Sequence, residues 1–503
     1  ALEKGKPLLN QFPDDPVIPN IIGAVNFKIG TMSNHVGRSK STIEANDELL
    51  SALSHLIIDL NKVDDSRSQS KRLECLDTFL YKFSRSFFTL GNELISESFF
   101  PEAIQLYRKA LLISPSFAEA YNNYGVSEKN LNNLEESAGN YAKAICSKAD
   151  YSDPYNNLAN CFRETNKLSQ AEANYKGSLV LNPICGNAYS NLGSIGIHNE
   201  NYDLAIVSCE RALIVSPNNL AARNNLANAF NKIHEYELAI ENYDLLNTPD
   251  AKAQSLECLY KAVKYKELMA RQDFYSRTDK VNIRIAAVSA FVANQLKIND
   301  PYPFCKTPLE FIYHFNLKNS ENNIGSLIKL AISEAEQQQA IWEPKGRSTR
   351  GGLQTQNTIF SAGPSCAYLQ KIFLSHVQRY RSKFSNNNCG FINSWPKESL
   401  LKGWFVKLHA GGYQKSHIHP TGWLSGVFYL KTTDANESKD GAIELSIHGH
   451  DLPILCEEFP RLTIQPNVGD LIMFPSSLFH RTIPFQEKTE RCVIAFDISP
   501  IVF

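Results

Sequence analysis

A period of 34 residues runs through the first half of the chain and constrains its fold more than any other feature. Small residues recur at two positions of this period, and a tyrosine recurs at a third, where one unit has cysteine. The members are Gly91, Gly125, Ala159, Gly193 and Ala227; Ala103, Ser137, Ala171, Ala205 and Ala239; and Tyr107, Tyr141, Tyr175, Cys209 and Tyr243. Small side chains let two helices approach closely, and a large side chain fills the groove between them. The period therefore predicts five helical hairpins over residues 84–253.

Prolines and a short signature support this interpretation. Pro115, Pro183 and Pro217 fall in one register of the period, where a proline ends one helix before the next unit begins. Residues 120–125 and 188–193 resemble the signature of the tetratricopeptide repeat. The resemblance implies an all-α solenoid, a right-handed superhelix of hairpins with a concave groove.

The remaining sequence predicts three further regions. Residues 1–83 are less regular and are expected to form a helical N-terminal cap, with a degenerate repeat as one interpretation. Residues 254–340 are expected to form a helical connector and the start of a catalytic region. Residues 341–503 are expected to form a second domain, because all four tryptophans lie in this last third of the chain.

Four asparagines of the repeats share one register. Asn123, Asn157, Asn191 and Asn225 each lie two residues before a small residue of the period. A primary amide both donates and accepts hydrogen bonds, so a row of amides is suited to hold the backbone of an extended peptide. Asparagine is also common in this repeat signature, where it caps local structure. The sequence leaves both interpretations open.

Composition excludes several classes of function. The chain has 503 residues and a formal net charge of -1, which favours neither nucleic acid nor an anionic membrane as a partner. No apolar run approaches the roughly 20 residues that span a bilayer. The 11 cysteines form no CxxC pair, which favours a reducing compartment and a cytoplasmic protein. The chain begins at Ala1 with no initiator Met and no signal-like stretch, so whether the natural N-terminus is present is left open.

The last hundred residues combine short strands with a histidine pattern. Apolar segments at 404–409, 424–430, 471–474 and 493–496 are separated by turn signals, which predicts a double-stranded β-helix of the jelly-roll or cupin type with flanking helices. His417 and His419 are two residues apart, and His480 and Arg491 follow. Three imidazoles and one guanidinium at these spacings are what a mononuclear iron site and an anionic cosubstrate need.

Here the sequence resembles the Fe(II)- and 2-oxoglutarate-dependent dioxygenases, and their prolyl-hydroxylase-like branch in particular. The resemblance rests on residues 413–419, 426–430 and 469–480 and on Arg491. It implies Fe(II), 2-oxoglutarate and O2 as cofactors and cosubstrates. It also implies that His417 and His480 bind the metal, that Arg491 pairs with the distal carboxylate of 2-oxoglutarate, and that Tyr429 adds a hydroxyl to that carboxylate.

One residue departs from the family pattern of His-x-Asp/Glu, because His419 stands where the family has a carboxylate. Imidazole binds iron well, so a three-histidine site is one interpretation. The alternative is that only His417 and His480 bind and that water completes the face. His409, Trp423 and Gln354 are further candidates for contact with substrate.

The sequence thus predicts a 2-oxoglutarate-dependent hydroxylase that acts on a peptide or protein held in the repeat groove. A small-molecule hydroxylase whose repeats serve assembly is one rival, and a non-catalytic interaction scaffold is another. A three-histidine dioxygenase that needs no keto acid is disfavoured, because it has no use for Arg491 as a carboxylate clamp. Sequence does not indicate the oligomeric state.

Overall fold

The computed structural model describes residues 69–344, 346–433, 439–449, 451–486 and 489–501. The chain divides into two compact units, Ala1–Ala229 and Phe230–Phe503. This division falls inside the fifth predicted repeat. Most of the predicted N-terminal cap, residues 1–68, lies outside the described residues.

Helices make up the described part of the first unit and the beginning of the second. Within the described residues the structure forms 16 α-helices. They are α1 Gln69–Ser96, α2 Phe100–Ile113, α3 Ala118–Asn130, α4 Leu134–Ser147, α5 Ser152–Glu164, α6 Leu168–Leu181, α7 Gly186–His198, α8 Tyr202–Val215, α9 Leu220–Lys232, α10 Tyr236–Leu246, α11 Pro249–Lys261, α12 Tyr265–Thr278, α13 Ile283–Gln295, α14 Ile324–Glu336, α15 Pro364–Phe384 and α16 Gly390–Asn393.

The small residues of the period allow the aromatic residues to pack, as predicted. A Cβ added at Gly91 would lie 2.7 Å from Cε1 of Tyr107, and one added at Gly125 would lie 2.7 Å from Cε1 of Tyr141. In a later unit, a Cβ added at Gly193 would overlap the Sγ of Cys209. At these distances an added Cβ would force the facing side chain to shift, so the small residues of the period reflect the close approach of the two helices of a hairpin.

The first helix of each hairpin ends in a left-handed residue. Ser98, Asn132, Asn166, Glu200 and His234 all have φ between 57° and 68° and are spaced by 34 residues. A single residue in this conformation ends a helix and turns the chain back. The turn is therefore repeated with the same period as the packing.

Two antiparallel sheets follow. The strands are β1 Tyr313–Asn316, β2 Ala340–Trp342, β3 Thr349–Thr355, β4 Ser399–Gln414, β5 Leu424–Lys431, β6 Ile443–Ser446, β7 Arg461–Ile464, β8 Asp470–Pro475, β9 Phe479–Thr482 and β10 Arg491–Pro500. The larger sheet has the order β1-β8-β5-β10-β4-β3-β2, and the smaller has the order β7-β6-β9. A helical solenoid followed by a jelly-roll-like domain with flanking helices is therefore confirmed.

The core of the second unit lies between the larger sheet and helix α15. The ring of Phe373 on α15 packs 5.3 Å from that of Phe428 on β5 and 4.8 Å from that of Phe496 on β10. Strand β1 pairs with β8 and lies within the predicted connector 254–340, so the sheet takes its edge strand from that region. No helix among the described residues is long and apolar enough to cross a membrane.

Candidate metal centre

The second unit brings three histidines together. His480 lies on β9, whereas His417 and His419 lie in the loop between β4 and β5. The backbones of His417 and His480 exchange two hydrogen bonds, with N–O distances of 3.1 Å and 3.0 Å. One ligand nitrogen from each of the three imidazoles lies within 4.8 Å of the others. This grouping was predicted from the sequence spacing.

Each of the three rings turns its Nδ1 toward an oxygen of the protein. The contacts are His417 Nδ1 to Lys415 O (2.7 Å), His480 Nδ1 to Leu478 O (3.2 Å) and His419 Nδ1 to Asp497 Oδ1 (2.6 Å). Carbonyl and carboxylate oxygens accept hydrogen bonds, which assigns the ring proton to Nδ1 in each case. The lone pairs are then on the Nε2 atoms, and this is the tautomer that a metal-binding histidine requires.

A carboxylate holds His419 from behind. Asp497 is 7% exposed, and its Oδ1 accepts a further hydrogen bond from the hydroxyl of Ser425 at 2.7 Å. That hydroxyl in turn lies 2.9 Å from the Oγ of Ser476. The side chain of Asp497 is therefore fixed, and it fixes the orientation of the His419 ring.

The environment of His480 favours its neutral form. Burial lowers the pKa of this imidazole well below its usual value, and the neighbouring rings of His417 and His419 lower it further. A neutral imidazole is the form that binds a metal. The Oγ of Ser348 lies 3.2 Å from the Nε2 of His417.

Arg491 is buried at the start of β10 with an incomplete set of partners. Its Nε donates to the carbonyl of Gly441 at 3.1 Å, and its Nη2 donates to the hydroxyl of Tyr429 at 3.2 Å. Its Nη1 is buried and has no hydrogen-bond partner in the described part of the chain. A buried donor without a partner is costly in free energy. The guanidinium is therefore suited to receive the carboxylate of a ligand.

A cavity of about 390 Å³ is lined by the three histidines and by Arg491. Gln354 also lines it, and its contact with substrate stays a prediction. His409 and Trp423 do not. The ring of His409 lies 5.6 Å from that of Trp342, and the Trp423 indole is buried and donates to the carbonyl of Phe391 at 3.1 Å. Their contact with substrate stays a prediction.

Comparisons with known families agree with the two parts of the chain. Residues 402–497 match the family described as "Putative 2OG-Fe(II) oxygenase", and this match contains the three histidines, Arg491 and Asp497. Residues 88–155 and 156–219 match the tetratricopeptide repeat. The chain therefore joins tetratricopeptide repeats to a domain that matches the family described as "Putative 2OG-Fe(II) oxygenase". None of the curated proteins matches it.

Several solved structures resemble part of the chain. PilF of Pseudomonas aeruginosa is 19% identical with a TM-score of 0.36, and the match covers 40% of this chain and 94% of PilF. A tetratricopeptide repeat protein of Parabacteroides merdae is 15% identical with a TM-score of 0.35, covering 45% and 90%. YrrB, described as a TPR protein with an unusual peptide-binding site, is 20% identical with a TM-score of 0.29, covering 32% and 83%.

The asparagines of the repeats hydrogen-bond to their neighbours in the solenoid. All four side-chain amides donate to a residue of the preceding unit. The pairs are Asn123 to Asn92 Oδ1 (2.7 Å), Asn157 to Asn122 Oδ1 (3.0 Å), Asn191 to Asn160 Oδ1 (3.1 Å) and Asn225 to Ser190 O (3.3 Å). These contacts favour the structural interpretation of the row. Its role in binding a peptide stays a prediction.

Three polar residues of the oxygenase domain were not found from the sequence. Asp497, Ser425 and Ser348 all lie within one hydrogen bond of a candidate ligand. Asp497 carried a signal, because it is the one charged residue within 493–498, an otherwise apolar stretch of β10. Ser348 carried none, because its position beside His417 depends on the pairing of β3 with β4.

Proposed function

We propose that the C-terminal domain is an Fe(II)- and 2-oxoglutarate-dependent dioxygenase that hydroxylates a peptide or protein. In this proposal His417, His419 and His480 hold the iron, and Arg491 with Tyr429 holds the distal carboxylate of 2-oxoglutarate. One observation carries it: three imidazoles each bring a ligand nitrogen within 4.8 Å of the others, in the same cavity as an arginine with a free buried donor.

The donor set fits Fe(II) that must also bind a bidentate keto acid and O2. Three protein ligands leave positions open for both, and imidazole nitrogen is a common ligand of iron. Replacement of the usual carboxylate by His419 removes one negative charge from the ligand set. Asp497, hydrogen-bonded to His419 at 2.6 Å, returns a negative charge one residue further from the metal. This pair supports His419 as a ligand over the alternative in which water completes the face.

Arg491 has the hydrogen-bonding capacity that the distal carboxylate of 2-oxoglutarate requires. The distal carboxylate of the cosubstrate can accept from the free Nη1 while Nε and Nη2 keep their contacts with Gly441 and Tyr429. A charge-assisted hydrogen bond is stronger than a neutral one, and burial excludes competing water. Arg491 therefore orients the cosubstrate from the end opposite to the three histidines.

The protein residues bind and position the reactants, whereas iron with 2-oxoglutarate and O2 supplies the oxidising chemistry, with succinate and CO2 as the products of the keto acid. The ring of Trp404 lies 5.5 Å from that of His419 and gives the cavity an apolar wall. Gln354 supplies a neutral polar side chain to the same cavity. Both are suited to limit water around the reacting C–H bond.

The class of substrate and the location in the cell belong to the proposal as well. Solenoids of tetratricopeptide repeats present extended surfaces suited to polypeptides, which favours a peptide or protein over a small metabolite. The ten described cysteines are free thiols, which is consistent with a reducing compartment such as the cytoplasm.

Formation of succinate from 2-oxoglutarate tests this function. The full-length protein should form succinate in a reaction that needs both Fe(II) and O2, and His417→Ala and His480→Ala should each abolish it because a metal bond is lost. His198→Ala, which removes an exposed histidine of the repeats, is the matched control and should keep the activity. Succinate formation at the wild-type rate in His480→Ala would exclude the proposed iron site.

A further inference from the structure

The charges that line the cavity are strongly unbalanced. Five cationic side chains and one carboxylate line it. The cations are Arg284, Arg347, Lys402, Arg481 and Arg491, and the carboxylate is Asp497. Cavities with one sign of charge concentrate ligands of the opposite sign. A cationic side chain that already has a carboxylate partner in the protein does not contribute to the unmatched positive charge.

Some of these charges have partners. The carboxylate of Asp497 is hydrogen-bonded to His419, and the distal carboxylate of 2-oxoglutarate is assigned to Arg491. Arg284 lies 3.2 Å from the carboxylate of Asp250, measured from its Nε.

Arg481 also has a carboxylate partner. Its Nε lies 2.8 Å from the Oε1 of Glu444. Arg347 and Lys402 are different, because neither has an ion-pair partner among the described residues. The surplus positive charge of the cavity therefore resides on these two side chains.

Arg347 lies directly before a residue that contacts the metal site. The next residue, Ser348, has its Oγ 3.2 Å from the Nε2 of His417. The carbonyl of Ser348 also accepts from the backbone N–H of Lys415, two residues before His417. The guanidinium of Arg347 is thus carried on a segment that is fixed beside the histidines.

Lys402 reaches the same cavity from β4. It lies opposite Asp497 in the pairing of β4 with β10, so the two side chains are on the same face of the sheet. Trp404, two residues further on the same strand, shares this face, and its ring lies 5.5 Å from that of His419. The ammonium of Lys402 is therefore on the face that carries the metal site.

We propose that the substrate is acidic, and that Asp or Glu side chains next to the hydroxylated residue contact Arg347 and Lys402. This rests on the proposed function, because it concerns the substrate of the same site. The carboxylate of Asp497 and the two negative charges of 2-oxoglutarate are used at the metal site and at Arg491, so the positive charges of Arg347 and Lys402 remain unmatched. An acidic polypeptide supplies the missing negative charge, whereas a basic one would be repelled.

Peptide selectivity of the wild-type protein is the first test. The test uses three pools of randomised peptides. The pools share the same fixed positions, which hold Glu in one pool, Gln in the second and Lys in the third. Stimulation of succinate formation is compared among them. The Glu pool should raise kcat/KM about tenfold or more over the Gln pool, because charge-assisted contacts are worth more than neutral ones. Equal stimulation by all three pools, or a preference for Lys, would overturn the proposal.

Charge reversal is the second test. Arg347→Glu combined with Lys402→Glu should move the preference from the Glu pool to the Lys pool. The control, Lys371→Glu with Lys397→Glu, changes the net charge equally at exposed lysines that do not line the cavity, and should keep the Glu preference. A reversed variant that still prefers Glu would contradict the assignment. If the reversed variant fails to fold, Arg347→Gln with Lys402→Gln must lose the Glu preference.

Two further comparisons separate the possible failures. Free glutamate and glutarate are added in place of peptides, and stimulation as strong as that of the Glu pool would show a small acid as substrate and refute the polypeptide. The visible band of the Fe(II)–2-oxoglutarate complex is recorded for the wild type under argon. Absence of the band would refute the proposed function itself, whereas an intact band without charge preference would refute only the acidic substrate.

Discussion

In the candidate site, residues that hydrogen-bond to the proposed metal ligands matter as much as the ligands themselves. His419 stands where the dioxygenase pattern has a carboxylate. The Oδ1 of Asp497 lies 2.6 Å from the Nδ1 of His419. A carboxylate that accepts from the Nδ1–H of a histidine makes its Nε2 a better donor to metal. In the proposed site, this pair of residues takes the place of one charged ligand.

Asp497→Asn tests this pair. The amide keeps the shape and can still accept a hydrogen bond, but the negative charge is lost, so Fe(II) affinity should fall about 10–100-fold. Ser425→Ala removes only the hydroxyl that holds the carboxylate and should have a smaller effect. Affinity is measured by anaerobic Fe(II) titration. Unchanged affinity in Asp497→Asn would favour the alternative in which His419 is not a ligand.

Arg491→Leu tests the cosubstrate clamp. Removal of a buried charged partner of a carboxylate should weaken 2-oxoglutarate binding by about 2–5 kcal/mol and leave Fe(II) in place. Tyr429→Phe removes one hydroxyl contact and should cost only about 0.5–1.5 kcal/mol. The measurement is the 2-oxoglutarate dependence of succinate formation. Saturation of the Arg491 variant at the wild-type concentration would assign the clamp to another residue.

The sequence spacing predicted the group of three histidines, whereas the residues that contact them from distant strands were missed. The spacing of His417, His419 and His480 predicted a group that the structure brings together. Asp497 lies 78 positions from His419, and the two meet because β10 pairs with β5, the strand that follows the histidine loop. Strand pairing over such distances in sequence is not encoded by a local pattern.

At the scale of elements, the regular part of the chain was the most predictable. The period of 34 residues is imposed by contacts within and between adjacent hairpins, such as Gly125 against Tyr141, so it can be found in the sequence alone. The edge strand β1 was not predicted, because a pattern of only four residues is too short to indicate a strand. Its place beside β8 depends on the whole sheet.

The row of asparagines gives a prediction about the repeats. The variant combines Asn157→Ala, Asn191→Ala and Asn225→Ala. Each substitution removes one hydrogen bond between repeats, and each hydrogen bond is worth about 0.5–1.5 kcal/mol. The combined variant should therefore lower the free energy of unfolding of the repeats, as measured by urea denaturation. Asn174→Ala, whose amide bonds only within its own helix, is the control.

Peptide binding by the same variant separates the two roles of the row. If the amides also hold substrate, the folded triple variant should bind peptide more weakly than its loss of stability explains, while succinate formation without substrate continues. Wild-type peptide binding at temperatures where the variant is folded would remove the asparagines from substrate recognition. Unchanged stability would instead show that the observed hydrogen bonds contribute little.

At the scale of the whole molecule, the candidate site belongs to the second compact unit. Its cavity takes residues from helix α13, from the segment before β3 and from β4, β9 and β10. No short segment of the chain contains these residues, so the site exists only in the folded unit. The motifs that carry the candidate site are therefore separated in sequence within residues 402–497, the segment that matches the oxygenase family model.

Anaerobic titration of the full-length protein with Fe(II) and then 2-oxoglutarate tests the central claim most directly. A bidentate complex of the keto acid with protein-bound Fe(II) has a visible charge-transfer band. The account predicts one Fe(II) per chain, a band that develops with 2-oxoglutarate, and loss of both in His480→Ala with the fold retained. No band in the wild type, or the same band in His480→Ala, would contradict it.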